Sequence, residues 1–156
     1  LYREEADKAG YQASPEQLAW SNAIYVAETD EKARREARPH LETYGKFFKM
    51  NPVMMSPPGY SSIESVKRSR SMGRARPQTP DDLIDMGTVI VGSPNTVREK
   101  LAADQDRAGF GYSLTKTQFA TMPHSQAMEN QDAVAKEVLP YFKDRLPQPD
   151  KKAAAE

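Results

Sequence analysis

The sequence contains no cysteine, and this absence excludes several kinds of site at once. Disulfide bonds, thiolate nucleophiles and zinc sites with sulfur ligands all require that residue. Long apolar runs are missing as well, because no segment approaches the roughly 20 apolar residues of a transmembrane helix. The first ten residues, LYREEADKAG, lack the apolar centre of a signal peptide. We therefore expect a protein without disulfides and without a membrane partner.

An excess of charge is the third feature that the sequence lacks. The 156 residues contain 22 Lys and Arg and 22 Asp and Glu, so the formal net charge is 0. Such a balance gives no general attraction to nucleic acid, and we expect no nucleic-acid partner. The two histidines, His40 and His124, are too few and too far apart to indicate a metal site, so no metal is expected.

Three short segments have the composition of β-strands. Residues 18–27 are apolar at nearly every position from Ala23 onward, which is typical of a strand that is covered on both faces in a parallel sheet. Residues 88–91 are a second apolar run, and residues 112–116 alternate instead. Helices lie between and after these segments, and βα alternation predicts a parallel sheet with helices packed against it. Three strands are few for so many helices, so we expect one part of an α/β protein.

Helix starts are the clearest local signals in the sequence. Thr29 is placed as the N-cap of a helix whose first turn is acidic, and Ser93 caps a second helix with Pro94 at its first position. The helix start at residues 92–94 is also compatible with phosphate binding, although capping alone explains it. A last helix is predicted from 125 to about 144, with Met128, Val134, Val138 and Phe142 on its apolar side.

Residues 50–80 form a proline-rich and basic segment. Five cations occur within it, and no acidic residue lies between Glu64 and Asp81. A loop of this length is usually functional or disordered. One interpretation of the chain is therefore a small α-rich interaction module that carries a basic, proline-rich arm and has no catalytic activity. Residues 145–156 are mostly Pro, Lys and Ala, and we predict a disordered tail there.

Four motifs in order support another interpretation. They are IYVAETDEKAR at 24–34, VIVGSPNTVREKL at 89–101, GFG at 109–111 and EVLPYF at 137–142. Together they resemble the bacterial luciferase-like, flavin-dependent monooxygenases, and the resemblance covers residues 1–144. It extends only to the C-terminal portion of such enzymes.

The resemblance implies a fold. The family adopts a (β/α)8 TIM barrel, of which this chain would supply the last two βα units and a long insertion. Residues 18–27 would be the seventh strand, residues 112–116 the eighth, and residues 50–80 a mobile lid. The expected fold class is thus a helix-rich, C-terminal fragment of an α/β barrel that this chain alone cannot close.

The resemblance also implies an activity. Family members use reduced flavin and O2 to oxygenate a small organic substrate. The cofactor is FMN, or a deazaflavin in some branches, and it would be bound mainly by residues outside this chain. A flavin reductase as electron supplier, a homodimer and a cytoplasmic location are implied for the full-length protein, whereas the isolated chain is expected to be inactive.

The resemblance suggests positions for a site, but it assigns no catalytic residue. Candidates at the ends of the two barrel strands are Glu28, Thr29, Thr115, Lys116 and Gln118. Candidates for substrate contacts from the lid and the last loop are Tyr60, Arg68, Arg70, Arg74, Arg76 and His124. Each set has a simpler interpretation, because Thr29 is explained as an N-cap and the arginines are explained as a solvated loop.

Overall fold

The computed structural model describes residues 2–47, 62–69 and 79–145. The helices are α1 (Tyr2–Lys8), α2 (Asp30–Phe47), α3 (Ile63–Ser69), α4 (Pro80–Asp85), α5 (Pro94–Ala108), α6 (His124–Ala133) and α7 (Leu139–Phe142). A 3-10 turn (Pro15–Gln17) precedes the first strand, and a π-helical turn (Val134–Val138) joins α6 to α7. The strands are β1 (Ala19–Val26), β2 (Val89–Gly92) and β3 (Tyr112–Lys116). Most of the predicted lid, and residues 146–156 of the predicted tail, lie outside the described residues.

The three strands form one parallel sheet in the order β2-β1-β3. The C-terminal half of β1 pairs with β2, from Ala23 opposite Val89 onward. The N-terminal half pairs with β3, ending at Ala23 opposite Lys116. The predicted parallel sheet is therefore confirmed, and the strands assigned as seventh and eighth of a barrel are direct neighbours.

Helices cover both faces of this sheet. On the α2 face, Ala23 and Tyr25 of β1 pack in one apolar cluster with residues of α2 and α4. On the α5 face, Ile24 and Val26 pack in a second cluster with residues of α5 and the π-helical turn. The described chain is thus a small parallel sheet between two helical layers, which confirms the α/β class. In a closed barrel, by contrast, the helices all lie outside the strands.

The last helix differs from its prediction in register. Its buried stripe consists of Ala127, Asn130, Val134 and Val138, whereas Met128 is 46% exposed. Pro140 has no N–H group for the carbonyl four residues earlier, so a regular α-helix cannot pass through it. The helix widens instead, and the Leu139 N–H donates to the carbonyl of Val134, five residues back. The prediction for Met128 was wrong because it placed the apolar stripe one residue off.

The predicted tail begins with a fixed residue. The Arg145 guanidinium lies 2.6 Å from an Asp106 carboxylate oxygen and 2.5 Å from Gln105 Oε1. Both partners belong to α5, so this arginine ties the end of the last helix to α5.

The side chain of Asn130 completes the sheet where β3 ends. Beyond Ala23, the edge of β1 that faces β3 has no strand partner among the described residues. There the Asn130 amide oxygen accepts from the Val26 N–H at 2.8 Å, and its nitrogen donates to the carbonyls of Ile24 at 2.8 Å and Thr117 at 2.7 Å. Asn130 is 2% exposed, so these bonds are shielded from water. One side chain thereby holds the end of β1 against the segment that follows β3.

Replacement of Asn130 by leucine should be strongly destabilising. The variant keeps a similar volume but leaves one buried N–H and two carbonyls without partners, which is expected to cost about 3 kcal/mol. Urea unfolding followed by circular dichroism would measure the loss. Gln131→Ala on the exposed side of α6 is the matched control, with an expected change below about 0.5 kcal/mol. Equal losses in the two variants would contradict the proposed role of Asn130.

Candidate active site

β1 and β2 end level with each other, with Val26 opposite Gly92, whereas β3 ends opposite Ala23, three residues earlier along β1. The stepped edge formed by these three C-terminal ends is called here the strand-end edge. In α/β proteins this is the edge outside which ligands bind. The structure brings the five strand-end candidates to this edge, because they follow or end the neighbouring strands β1 and β3.

Glu28 and Thr29 have local roles at the start of α2. The Thr29 hydroxyl accepts from the Lys32 N–H at 3.2 Å, which is the geometry of an N-cap. The Glu28 carboxylate is largely exposed and lies 3.7 Å from the Lys32 ammonium group. The helix start therefore accounts for the threonine, and the glutamate remains accessible to a ligand.

The candidates that follow β3 are mostly exposed. Thr115 is half-buried, and its hydroxyl lies 3.2 Å from that of Ser113. The Lys116 ammonium group lies 3.5 Å from the Tyr44 hydroxyl, and Gln118 is exposed. His124 is the first residue of α6 and is also exposed. These side chains sit at the same edge without forming one connected site.

The side chains of the lid candidates all fall outside the described part of the structure. Tyr60, Arg70, Arg74 and Arg76 lie outside the described residues. Arg68 lies in α3, but its side chain is not described. Their proposed contact with substrate stays a prediction.

The main polar contact at this edge involves Asp30, and no local sequence pattern predicts it. One oxygen of its carboxylate accepts from the Ser93 N–H at 2.6 Å, and the other accepts from the Thr96 hydroxyl at 2.9 Å. The Ser93 backbone N–H, followed by the Thr96 hydroxyl, lowers the pKa of Asp30. A Cβ atom at Gly92 would lie 2.8 Å from an Asp30 oxygen, which explains why glycine precedes Ser93. The first turn of α5 is thus capped by Ser93 and by a carboxylate from α2.

This contact decides between the two interpretations of residues 92–94. The N-terminus of a helix favours an anion, and at α5 that position is already taken by Asp30. A phosphate of FMN would have to displace a bound carboxylate there. The described residues therefore do not form a phosphate site at the start of α5, and no catalytic step is assigned to the flavin on their basis.

A second polar network joins α2 to α6 on the α2 face. The Tyr25 hydroxyl donates to the Glu36 carboxylate at 3.0 Å and accepts from the Gln126 amide nitrogen at 2.8 Å. Burial raises the pKa of Tyr25 to about 12, so this hydroxyl stays protonated at neutral pH. The Gln126 oxygen is 3.0 Å from His40 Nε2, and His40 Nδ1 is 3.1 Å from the Thr121 hydroxyl. His40 is therefore a partner in packing rather than a free surface histidine.

The described part of the chain has neither a cluster of metal ligands nor a membrane-spanning helix. No group of three or more potential metal ligands comes together within residues 2–47, 62–69 and 79–145. Among the helices formed by those residues, none is long and apolar enough to cross a membrane.

Comparison with known families identifies the chain. The model of the luciferase-like monooxygenases matches residues 1–111, which include β1, β2, α5 and the capped edge between them. The chain belongs to the luciferase-like monooxygenase family. The match ends just before β3, so the last strand and the last helix lie beyond the matched part of this family member.

Solved structures support the same fold. The oxygenating constituent of 3,6-diketocamphane monooxygenase from Pseudomonas putida, a type II Baeyer-Villiger monooxygenase in complex with FMN, is 23% identical and has a TM-score of 0.55. Monooxygenase RslO1 from Streptomyces bottropensis is 19% identical and has a TM-score of 0.56. The matches cover 94% and 90% of this chain but only 39% and 36% of those proteins. Among curated proteins no relative was found.

Replacement of Asp30 by asparagine should destabilise the protein in a pH-dependent way. Because folding lowers the pKa of Asp30, its contribution is present above the ordinary aspartate value of about 3.9 and is lost as the pH falls through the lowered pKa. At pH 7 we expect the variant to lose about 1–2 kcal/mol. The difference should begin to shrink only below about pH 3.9 and should vanish once the pH lies below the lowered pKa of Asp30.

Thermal unfolding of both proteins between pH 2.5 and 7 would measure this effect. Asp85→Asn, at the exposed end of α4, is the control and should change the free energy of unfolding by less than about 0.5 kcal/mol. A difference between Asp30→Asn and the wild type that stays constant down to the lowest pH would contradict the role of the ionised carboxylate.

Proposed function

We propose that this chain is the C-terminal part of a flavin-dependent monooxygenase that oxygenates a small organic substrate with reduced flavin and O2. The observation that carries the proposal is the family match over residues 1–111, together with coverage of only 39% and 36% of two monooxygenase structures. The complete (β/α)8 barrel is part of the proposal, since the described chain contributes three parallel strands to it.

The free edge of β3 supports the idea of a larger sheet. β3 pairs with β1 on one side, and no strand of the described residues pairs with its other side. Tyr112 and Leu114 on this strand are 57% and 60% exposed. An unpaired edge with exposed apolar side chains is a ready template for another strand. We place the first strand of the barrel there, which requires the helical layer on one face of the sheet to move outside the barrel.

The flavin is assigned mainly to residues beyond this chain. FMN is favoured over a deazaflavin because one structural neighbour is a complex with FMN. When bound, reduced flavin supplies the electrons for O2 activation, and a separate flavin reductase would restore it. A homodimer in the cytoplasm completes the proposal for the full-length protein.

The residues of this chain are assigned to the substrate side. Lys116 is the cation among the strand-end candidates, and it offers an anionic group an exposed partner beside Thr115 and Gln118. Glu28, Thr29 and His124 border the same edge, and the lid residues Tyr60, Arg68, Arg70, Arg74 and Arg76 would close over it. The alternative of an α-rich module without catalysis is disfavoured, because a parallel sheet forms the centre of the described chain.

The proposal is tested by flavin titration of two proteins. One is the 156-residue chain, and the other is the protein encoded by a longer reading frame that includes the preceding βα units. The longer protein should quench FMN fluorescence at micromolar concentration, whereas the short chain should bind at least 100-fold more weakly. Riboflavin serves as the control ligand, since it lacks the phosphate.

Activity of the longer protein is then measured with reduced FMN, O2 and a cyclic diketone, the substrate class that the name of one neighbour suggests. Absence of both flavin binding and substrate-dependent O2 consumption would overturn the monooxygenase proposal. Equal FMN binding by the two proteins would instead overturn the assignment of the flavin to the missing part.

A further inference from the structure

A cavity of about 220 Å3 lies on the α5 face of the sheet. Its walls come from β1, β3, α5 and the C-terminal helix, and most of them are apolar. The apolar lining residues are Ile24, Leu101, Phe110, Val134, Val138, Leu139 and Phe142. An engineered cavity of about 150 Å3 binds benzene, so this space is large enough for a small ring compound.

The polar residues at one corner of this cavity are already paired. Gln105 is 6% exposed, and its side-chain amide forms two hydrogen bonds. The amide oxygen accepts from the Arg145 guanidinium, and the amide nitrogen donates to the Phe110 carbonyl. Arg145 also pairs with Asp106 at 2.6 Å. This corner is therefore a satisfied polar wall, and it gives the cavity a defined boundary.

The wall formed by β3 offers a hydrogen-bond donor. Ser113 and Thr115 both line the cavity, and their hydroxyl oxygens are 3.2 Å apart. In such a pair one hydroxyl donates to the other, so one of the two hydroxyl hydrogens remains for a further acceptor.

The same face of the sheet holds buried polar atoms without partners. Trp20 and Asn22 lie opposite Ser113 and Thr115 in the pairing of β1 with β3, so the four residues share one face. Within the described residues, Trp20 Nε1 and both polar atoms of the Asn22 amide are buried and make no hydrogen bond. Asn22 is only 2% exposed. Trp20 and Asn22 do not line the cavity themselves, but the Trp20 ring stacks on Phe110, which does.

We propose that the cavity binds a small apolar molecule that carries one carbonyl oxygen. The apolar walls bury the carbon skeleton, and the carbonyl accepts a hydrogen bond on the side of the cavity formed by Ser113 and Thr115. An acceptor fits this wall because the remaining hydroxyl of the Ser113–Thr115 pair is a donor. The proposal does not depend on flavin binding, so it can fail or succeed independently of the monooxygenase assignment.

Trp20 provides a direct reporter because it is the only tryptophan of the chain. Its ring stacks on Phe110, a lining residue, with centroids 6.0 Å apart. In 15N-labelled protein the single indole N–H signal is followed during titration with cyclohexanone. A saturable shift is expected, and cyclohexane, which has no acceptor, should bind about tenfold more weakly. The proposal is overturned if cyclohexanone produces no saturable shift, or if cyclohexane binds as tightly as cyclohexanone.

Variants locate the site. Thr115→Val removes one hydroxyl at similar volume and should weaken cyclohexanone binding about tenfold, or about 1.4 kcal/mol. Thr43→Val on α2, in the opposite helical layer, is the matched control and should leave the affinity unchanged. Val138→Phe fills the cavity and should abolish binding; if that variant does not fold, the comparison of Thr115→Val with Thr43→Val still decides. Equal affinities in those two threonine variants would overturn the proposal.

Discussion

Strand β1 is hydrogen-bonded along both edges and buried on both faces over its C-terminal half. The two helical layers pack on its opposite faces. Residues 22 to 26 are all buried because β2 pairs with one edge from Ala23 to Val26, β3 and then the Asn130 side chain occupy the other edge, and helices cover both faces. Each backbone group that leaves water here needs a partner. The positions of α2, α5 and the last helix therefore follow from the need to enclose one central strand completely.

Two side chains complete what the main chain leaves open around β1. Asn130 takes the place of a strand beyond Ala23, where β3 no longer pairs. Asp30 connects the start of α2 to the start of α5, so the two βα connections share one carboxylate. Both contacts lie near the strand-end edge. The edge at which a ligand is expected is thus also held together by long-range hydrogen bonds of Asn130 and Asp30.

Local signals in the sequence predicted the parts of the fold that depend on neighbouring residues. Thr29 and Ser93 cap helices as expected, and the apolar run at 23–26 is a central parallel strand. Asp30 and Asn130 were not predicted, because their partners are 63 to 106 residues away in the chain. Met128 was misplaced for a different reason: it lies six residues before Val134, which puts the two on different faces of an α-helix, whereas Ala127 and Asn130 lie at helical spacing from Val134 and are buried.

For the strand-end candidates, the sequence likewise predicted the position of each residue but not its partners. Sequence order placed them after the correct strands, and the parallel sheet brings them to one edge. Their chemistry depends on neighbours that this chain does not provide by itself. Glu28 and Gln118 remain exposed, and the position for an anion at α5 is filled by Asp30.

The two faces of the sheet differ in how completely their polar groups are satisfied. On the α2 face, the chain from Glu36 through Tyr25 and Gln126 to His40 gives each group a partner of the correct polarity. On the α5 face, Trp20 Nε1 and the Asn22 amide have no partner among the described residues, and the cavity lies on the same face. The side-chain network of the α2 face therefore leaves no room for a ligand of the kind proposed, whereas the α5 face has space for one between β3 and the last helix.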